Sequence, residues 1–172
     1  MKIEIPDGIE ILVFTGPESS GKTTCAKRIS TAYNLPRVEE YAREYLIQNG
    51  TDYTFDDLQI IAQKQQENEC LAHQENALIV CDTDVVTMEI WANVVYNKSM
   101  NLTDERRTKK YYFLCSPDIP WESDPFRENP NDRDQLFERY QTYLNEHNLP
   151  YSILSAEKRR SLELDLRSKI NK

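Results

Sequence analysis

Four short apolar runs lie along the chain, separated by longer stretches in which apolar residues recur at helical spacing. The first, Ile9 to Thr15, is apolar and β-branched enough to be a buried strand. Ala77 to Cys81, Tyr111 to Cys115 and Tyr151 to Leu154 read the same way, and Arg37-Val38-Glu39 as a shorter strand. Between the first two, Ala26, Ile29 and Tyr33 share one face of a predicted helix, which Asn34-Leu35-Pro36 ends because proline disfavours helix before it. Glu40 to Leu46 begins a second helix, broken at Asn49-Gly50. Thr54, with Asp57 three residues on, predicts an N-terminal cap for a helix that carries Leu58, Ile61 and Ala62 inward and runs to about Gln74. Further on, Val85, Met88, Trp91, Ala92 and Val95 form an apolar stripe, and Thr103 to Lys110 predicts a short basic helix. Asp134 to His147 turns Leu136, Phe137, Tyr140 and Leu144 inward, and Glu157 to Ile170 closes the chain. Ser116 to Arg133 holds four prolines and mixed charge, which predicts a long loop; loops of that length in compact domains are usually functional.

Strands alternating with helices predict an α/β fold, a parallel sheet covered on both faces. Ligands of such sheets sit at the carboxyl ends of the strands. That rule gathers Gly16 to Thr23, Glu39 and Glu40, Asp82 to Asp84, and Ser116 onward around one crevice.

The stretch Gly16-Pro17-Glu18-Ser19-Ser20-Gly21-Lys22-Thr23 meets G-x-x-x-x-G-K-[ST] at every defined position, between a predicted strand and a predicted helix. In that setting the backbone N–H groups converge on an anion and the helix N-terminus adds partial positive charge. Lys22 is then placed for the β- and γ-phosphates of a nucleotide triphosphate, and the Thr23 hydroxyl for Mg²⁺.

Asp82 follows an apolar strand directly, where a carboxylate complements Thr23 at the metal. Asp84 stands at a helix start, where capping is the competing role. At the end of the short strand, Glu39 or Glu40 should face the crevice and accept a proton from an attacking hydroxyl. Arg43, one turn on, suits a substrate contact or an ion pair. The proline-rich loop brings Trp121, Asp124, Arg127 and Arg133, and arginines on a closing lid stabilise charge on a transferring phosphoryl group. Trp121 and Trp91 are able to stack on a planar ring, although Trp91 on its apolar stripe also suits the core.

Composition narrows the partners. A net charge of −8 argues against a broad nucleic-acid or anionic-membrane surface. The cluster Arg106 to Lys110 reads as a solvated helix end, and His73 and His147 as surface residues. Cys25, Cys70, Cys81 and Cys115 have no C-x-x-C spacing and read as reduced thiols of a cytoplasmic protein. No apolar run approaches the ~20 residues of a membrane span.

The assembled pattern resembles the nicotinamide riboside kinases of the NadR type. The likeness rests on Gly16 to Thr24, on Glu40-Tyr41-Ala42-Arg43-Glu44-Tyr45, on Cys81-Asp82-Thr83-Asp84, on Leu114 to Trp121, and on Arg127 to Arg133. It implies one P-loop kinase domain over residues 1–172, with a five-stranded parallel sheet and a lid at about 116–133. It also implies transfer of the ATP γ-phosphate to the 5′-hydroxyl of nicotinamide riboside, with Mg²⁺. Carried over, Gly16, Glu18, Ser19, Ser20, Gly21, Lys22, Thr23 and Thr24 serve ATP, and Thr23 and Asp82 the metal. Lys22, Glu40, Asp82, Arg127 and Arg133 form the catalytic set, and Glu40, Tyr41, Arg43, Asp84, Trp91 and Trp121 the acceptor set. Which of Glu40, Asp82 and Asp84 is the general base stays open; the strand-end position favours Glu40 and leaves Asp84 for ribose hydroxyls. NadR-type proteins often add a nucleotidyltransferase domain with an H-x-G-H element or a DNA-binding helix-turn-helix. With two histidines 74 positions apart, neither is expected here. A kinase for another nucleoside, and an ATP-binding regulatory module without chemistry, are the alternatives.

Overall fold

The computed structural model describes residues 5–124 and 131–170, with side chains through 166. Strands β1 (Ile11–Thr15), β2 (Arg37–Val38), β3 (Ile79–Asp82), β4 (Lys110–Cys115) and β5 (Tyr151–Leu154) form one parallel sheet in the order β2-β3-β1-β4-β5. Six helices accompany them: α1 (Lys22–Tyr33), α2 (Tyr41–Asn49), α3 (Phe55–Gln74), α4 (Val85–Tyr96), α5 (Arg133–Glu146) and α6 (Ala156–Ile170). This is the α/β P-loop NTPase fold.

The central strand explains why both faces must be covered. Every residue of β1 is buried, so alternate side chains meet different layers. Leu12 and Phe14 pack with Ala26 and Ile29 of α1 and Leu162 and Leu166 of α6. Ile11 and Val13 face Val86 and Ile90 of α4 and Tyr140 and Leu144 of α5. Each of the Leu, Ile, Val and Phe side chains among these contributes about 1.5–3 kcal/mol of burial. A smaller cluster joins α2, α3 and α4 through Ala42, Leu58, Ile61, Met88 and Ala92.

Local signals hold where they rest on backbone chemistry. Asn34 ends α1 in the left-handed conformation at φ 51°, with its N–H shared by the Ser30 and Thr31 carbonyl oxygens. Thr54 and Asp57 form a reciprocal capping box at the start of α3.

Four expectations fail. The basic stretch from Thr103 is not a helix; a 3₁₀ turn over Arg107–Lys109 leads straight into β4. Nor is its end solvated, because Lys110 is fully buried and Arg106 pairs with Glu69 at 3.4 Å. Charge clustering marked the stretch as surface, but Glu69 of α3 and Asp84 before α4, with Asp104 of the stretch itself, supply Lys110 with a carboxylate partner set. The histidines are half-buried: His73 lies 2.6 Å from Glu10, and the His147 ring stacks on Tyr143. Val95, read as part of the α4 stripe, is exposed, because the stripe turns inward around Met88 and Ala92 instead.

Candidate active site

The carboxyl ends of the five parallel strands share one edge of the sheet, and residues that follow β1, β2, β3 and β4 line a cavity there. Gly16 leaves β1 at φ 133°, and a Cβ added there would lie 2.7 Å from the Cys115 carbonyl oxygen. Only glycine lets the loop run this close to β4. Gly21 follows at φ 82° as the N-cap of α1, aiming the helix N-terminus into the loop. Lys22 donates from Nζ to the Pro17 carbonyl oxygen at 2.8 Å, folding its charge back over the loop.

Gly16 to Thr24 line one cavity together with Glu40, Arg43 and Trp91. Here the structure joins the phosphate loop to residues predicted for the acceptor. Glu40 stands at the start of α2, and burial holds its carboxyl above the usual range, against the pull of Lys22. Asp82 ends β3 almost fully buried. Burial raises its pKa too, while a hydrogen bond from the Thr23 hydroxyl opposes the shift. Among the described residues its Oδ1 has no hydrogen-bond partner, nor has the buried Ser20 hydroxyl. A hydroxyl bonded to a carboxylate that keeps an unsatisfied oxygen is a donor set suited to Mg²⁺ shared with phosphate oxygens.

Other predicted residues lie elsewhere. Asp84 is fully buried, caps α4 through Val86 N at 3.0 Å, and accepts from Lys110 Nζ at 3.0 Å and the Tyr112 hydroxyl at 2.8 Å. With its oxygens spent inside, it is not presented to ribose hydroxyls. Glu39 points outward to Arg37, and Tyr41 lines a neighbouring groove, its N–H given to Gln65. Trp121 does not line the cavity; the Arg133 guanidinium lies over its ring at 5.7 Å. Arg133 opens α5, one residue earlier than the predicted helix start, and donates to the Ser19 and Ile119 carbonyl oxygens at 3.1 and 3.0 Å. Arg127 lies outside the described residues. Arg43 pairs with Asp124 at 2.8 Å, which joins α2 to the chain after β4.

The cavity also contains residues that the sequence left unassigned. Thr87, Leu136, Tyr140, Ile119 and Glu122 line it, as do Ala42 and Leu46. Thr87 lies one helical turn before Trp91, and a polar residue on an apolar stripe was the available signal. Tyr140 was read as core, and it is buried, yet its hydroxyl bonds Thr87 at the cavity wall. Trp91 serves both roles, stacking on Tyr53 at 6.2 Å while facing the cavity.

A strand, a glycine-bounded phosphate loop and a buried strand-end aspartate define a P-loop nucleotide-binding protein. A family profile described as an AAA domain matches residues 11–160, and the chain belongs to that family. Two solved structures of NadR, one described in complex with NAD and AMP-PNP and one with NR, align at TM-scores of 0.72 and 0.71. Each is 18% identical; the alignments cover 95% of this chain but 50% and 51% of those chains. This chain thus spans about half the length of the NadR structures. Deoxyadenosine kinase from M. mycoides aligns at a TM-score of 0.62 and 12% identity, covering 94% of this chain and 98% of its own. No curated protein matches significantly. These likenesses are of fold, the fold of nucleoside and nucleotide kinases. Among the described residues, no helix is long and apolar enough to cross a membrane.

Proposed function

We propose that this protein is an ATP-dependent kinase that phosphorylates the 5′-hydroxyl of nicotinamide riboside to give nicotinamide mononucleotide. One observation carries the kinase reading: the phosphate loop with Lys22 and the carboxylate of Glu40 line the same cavity, with Trp91 on its wall. A nucleotide sensor has no need of a carboxyl with a raised pKa beside its phosphates. Glu40 would accept the proton of the attacking hydroxyl, and a pKa moved toward neutrality suits that task. Lys22 would leave the Pro17 carbonyl oxygen to meet charge on the transferring group. Thr23 and Asp82 would hold Mg²⁺, which offsets phosphate charge when bound. Arg133, already donating to Ser19 of the loop, would join as the chain between β4 and α5 closes as a lid.

The choice of acceptor draws on the sequence resemblance, on Trp91 as a platform for a planar ring, and on the fold shared with NadR structures that hold NR and NAD. The test is ATP consumption by the purified protein against nicotinamide riboside, nicotinic acid riboside, thymidine and deoxyadenosine, with products identified by mass. Turnover with nicotinamide riboside is expected. Turnover only with another nucleoside would move the acceptor assignment, and ATP binding without any turnover would favour a regulatory module.

A further inference from the structure

Sheet order divides the surroundings of the phosphate loop. The acceptor-side elements follow β2 and β3, on one side of β1, while β4 and β5 lie on the other. Attacking and leaving oxygens stand roughly in line during phosphoryl transfer. A γ-phosphoryl group moving toward Glu40 therefore leaves the nucleoside end of the donor directed toward β4 and β5.

At those strand ends Arg159 of α6 stands against the phosphate loop. A Cβ added at Gly21 would lie 3.9 Å from its Cδ and 4.0 Å from its Nε, with Ile119 at 3.4 Å beside it. The residue is buried, only 7% exposed. Nη2 donates to the Ser116 carbonyl oxygen and lies 3.0 Å from Asp118 Oδ1. Asp118 in turn accepts from Ala156 N, at the start of α6, at 2.8 Å. Nε and Nη1 have no partner among the described residues and are shut off from solvent. Buried donors left unpaired on a permanent cation carry a desolvation cost that an arriving acceptor removes.

Building on the proposed kinase reading, we infer that Arg159 recognises the donor nucleotide, giving its unpaired N–H groups to acceptor atoms of the nucleoside end. Ile119, against the same glycine, lines the cavity of the phosphate loop beside them. The ligand class is a nucleoside triphosphate, read beyond its phosphates.

Titration calorimetry on the full chain without acceptor tests this, with ATP and inorganic tripolyphosphate as ligands. Arg159→Lys keeps the charge beside Asp118 and removes the two donors. It should weaken ATP binding by about tenfold or more, the loss expected for a hydrogen bond to a charged group, and leave tripolyphosphate affinity unchanged. Asp118→Ala breaks the ion pair, keeps the donors, and should stay within about twofold of wild type for ATP. Unaltered ATP affinity in Arg159→Lys overturns the inference. So does an equal loss for both ligands, which would assign the residue to phosphate. A loss reproduced by Asp118→Ala also overturns it, since Arg159 would then act only as a clamp. The calorimetry contains no acceptor, so it is independent of transfer. A wild-type protein that binds ATP here yet phosphorylates no nucleoside in the panel above defeats the kinase reading, while this one is still decided by the two affinities. A wild-type protein that binds no ATP defeats both.

Discussion

Lys22 Nζ donates to the carbonyl oxygen of Pro17 at 2.8 Å, within the loop they share. The ammonium is thereby held over the anion cradle by a neutral acceptor that a phosphate oxygen would outcompete. Lys22→Ala should abolish turnover, because it removes a charge aimed at the transferring group. Folding should be unaffected, since the side chain is only half-buried. Steady-state kinetics and a thermal melt check this together; near-normal turnover would place the reaction elsewhere.

Glu40→Gln should lower kcat by roughly 10²-fold or more while leaving ATP affinity near wild type. The wild-type rate should fall with decreasing pH, with a midpoint above the ordinary glutamate value of 4.5, because burial raises the pKa of Glu40. A carboxyl raised in the folded state favours folding at low pH and loses that contribution as pH climbs through its folded value. The Gln variant should therefore melt higher than wild type at neutral pH, with the gap closing in acid. An unchanged rate would transfer the base role to Asp82.

Asp82→Asn should raise the Mg²⁺ concentration for half-maximal activity by roughly 10- to 100-fold, as for other groups that hold or orient a metal. Its unsatisfied Oδ1 and its bond from Thr23 motivate this. A Mg²⁺ titration at saturating ATP gives the answer, and an unshifted midpoint would remove Asp82 from the metal site.

Lys110 meets Glu69 at 2.8 Å and Asp84 at 3.0 Å, both deep in the protein, and the partly buried Asp104 at 2.6 Å. Lys110→Met leaves three carboxylates without their shared cation and should cost about 3–5 kcal/mol in urea unfolding, the range for breaking a buried ion pair. Lowering the pH should shrink that loss, because the stranded carboxylates can then take up protons. A variant as stable as wild type at neutral pH would mean that Arg106, 3.4 Å from Glu69, suffices.

Two kinds of information separate in this chain. Features that depend on backbone chemistry over a few residues could be read directly: the phosphate loop with its two glycines, the Thr54 capping box, the helix stop at Asn34, and four strands, of which β1, β3 and β4 are buried throughout. Alternation of strand and helix then dictated a parallel sheet, and the strand-end rule put Glu40 and Asp82 at one edge of it. Asp84 and Lys110 show where that ends. Each carried a charge that local reasoning assigned to ligand or solvent, and only the packing of α3, α4 and β4 brought them together inside the protein. The same holds for Tyr140 and Arg159, which lie more than a hundred residues from the phosphate loop in sequence and reach its surroundings through α5 and α6. By itself the sequence determined a phosphate loop and the strand that presents it, because hydrogen bonding and conformational limits act between near neighbours. Tertiary structure decided which carboxylates face that loop and which are neutralised in the interior. Burial and long-range ion pairing depend on partners that no local pattern records.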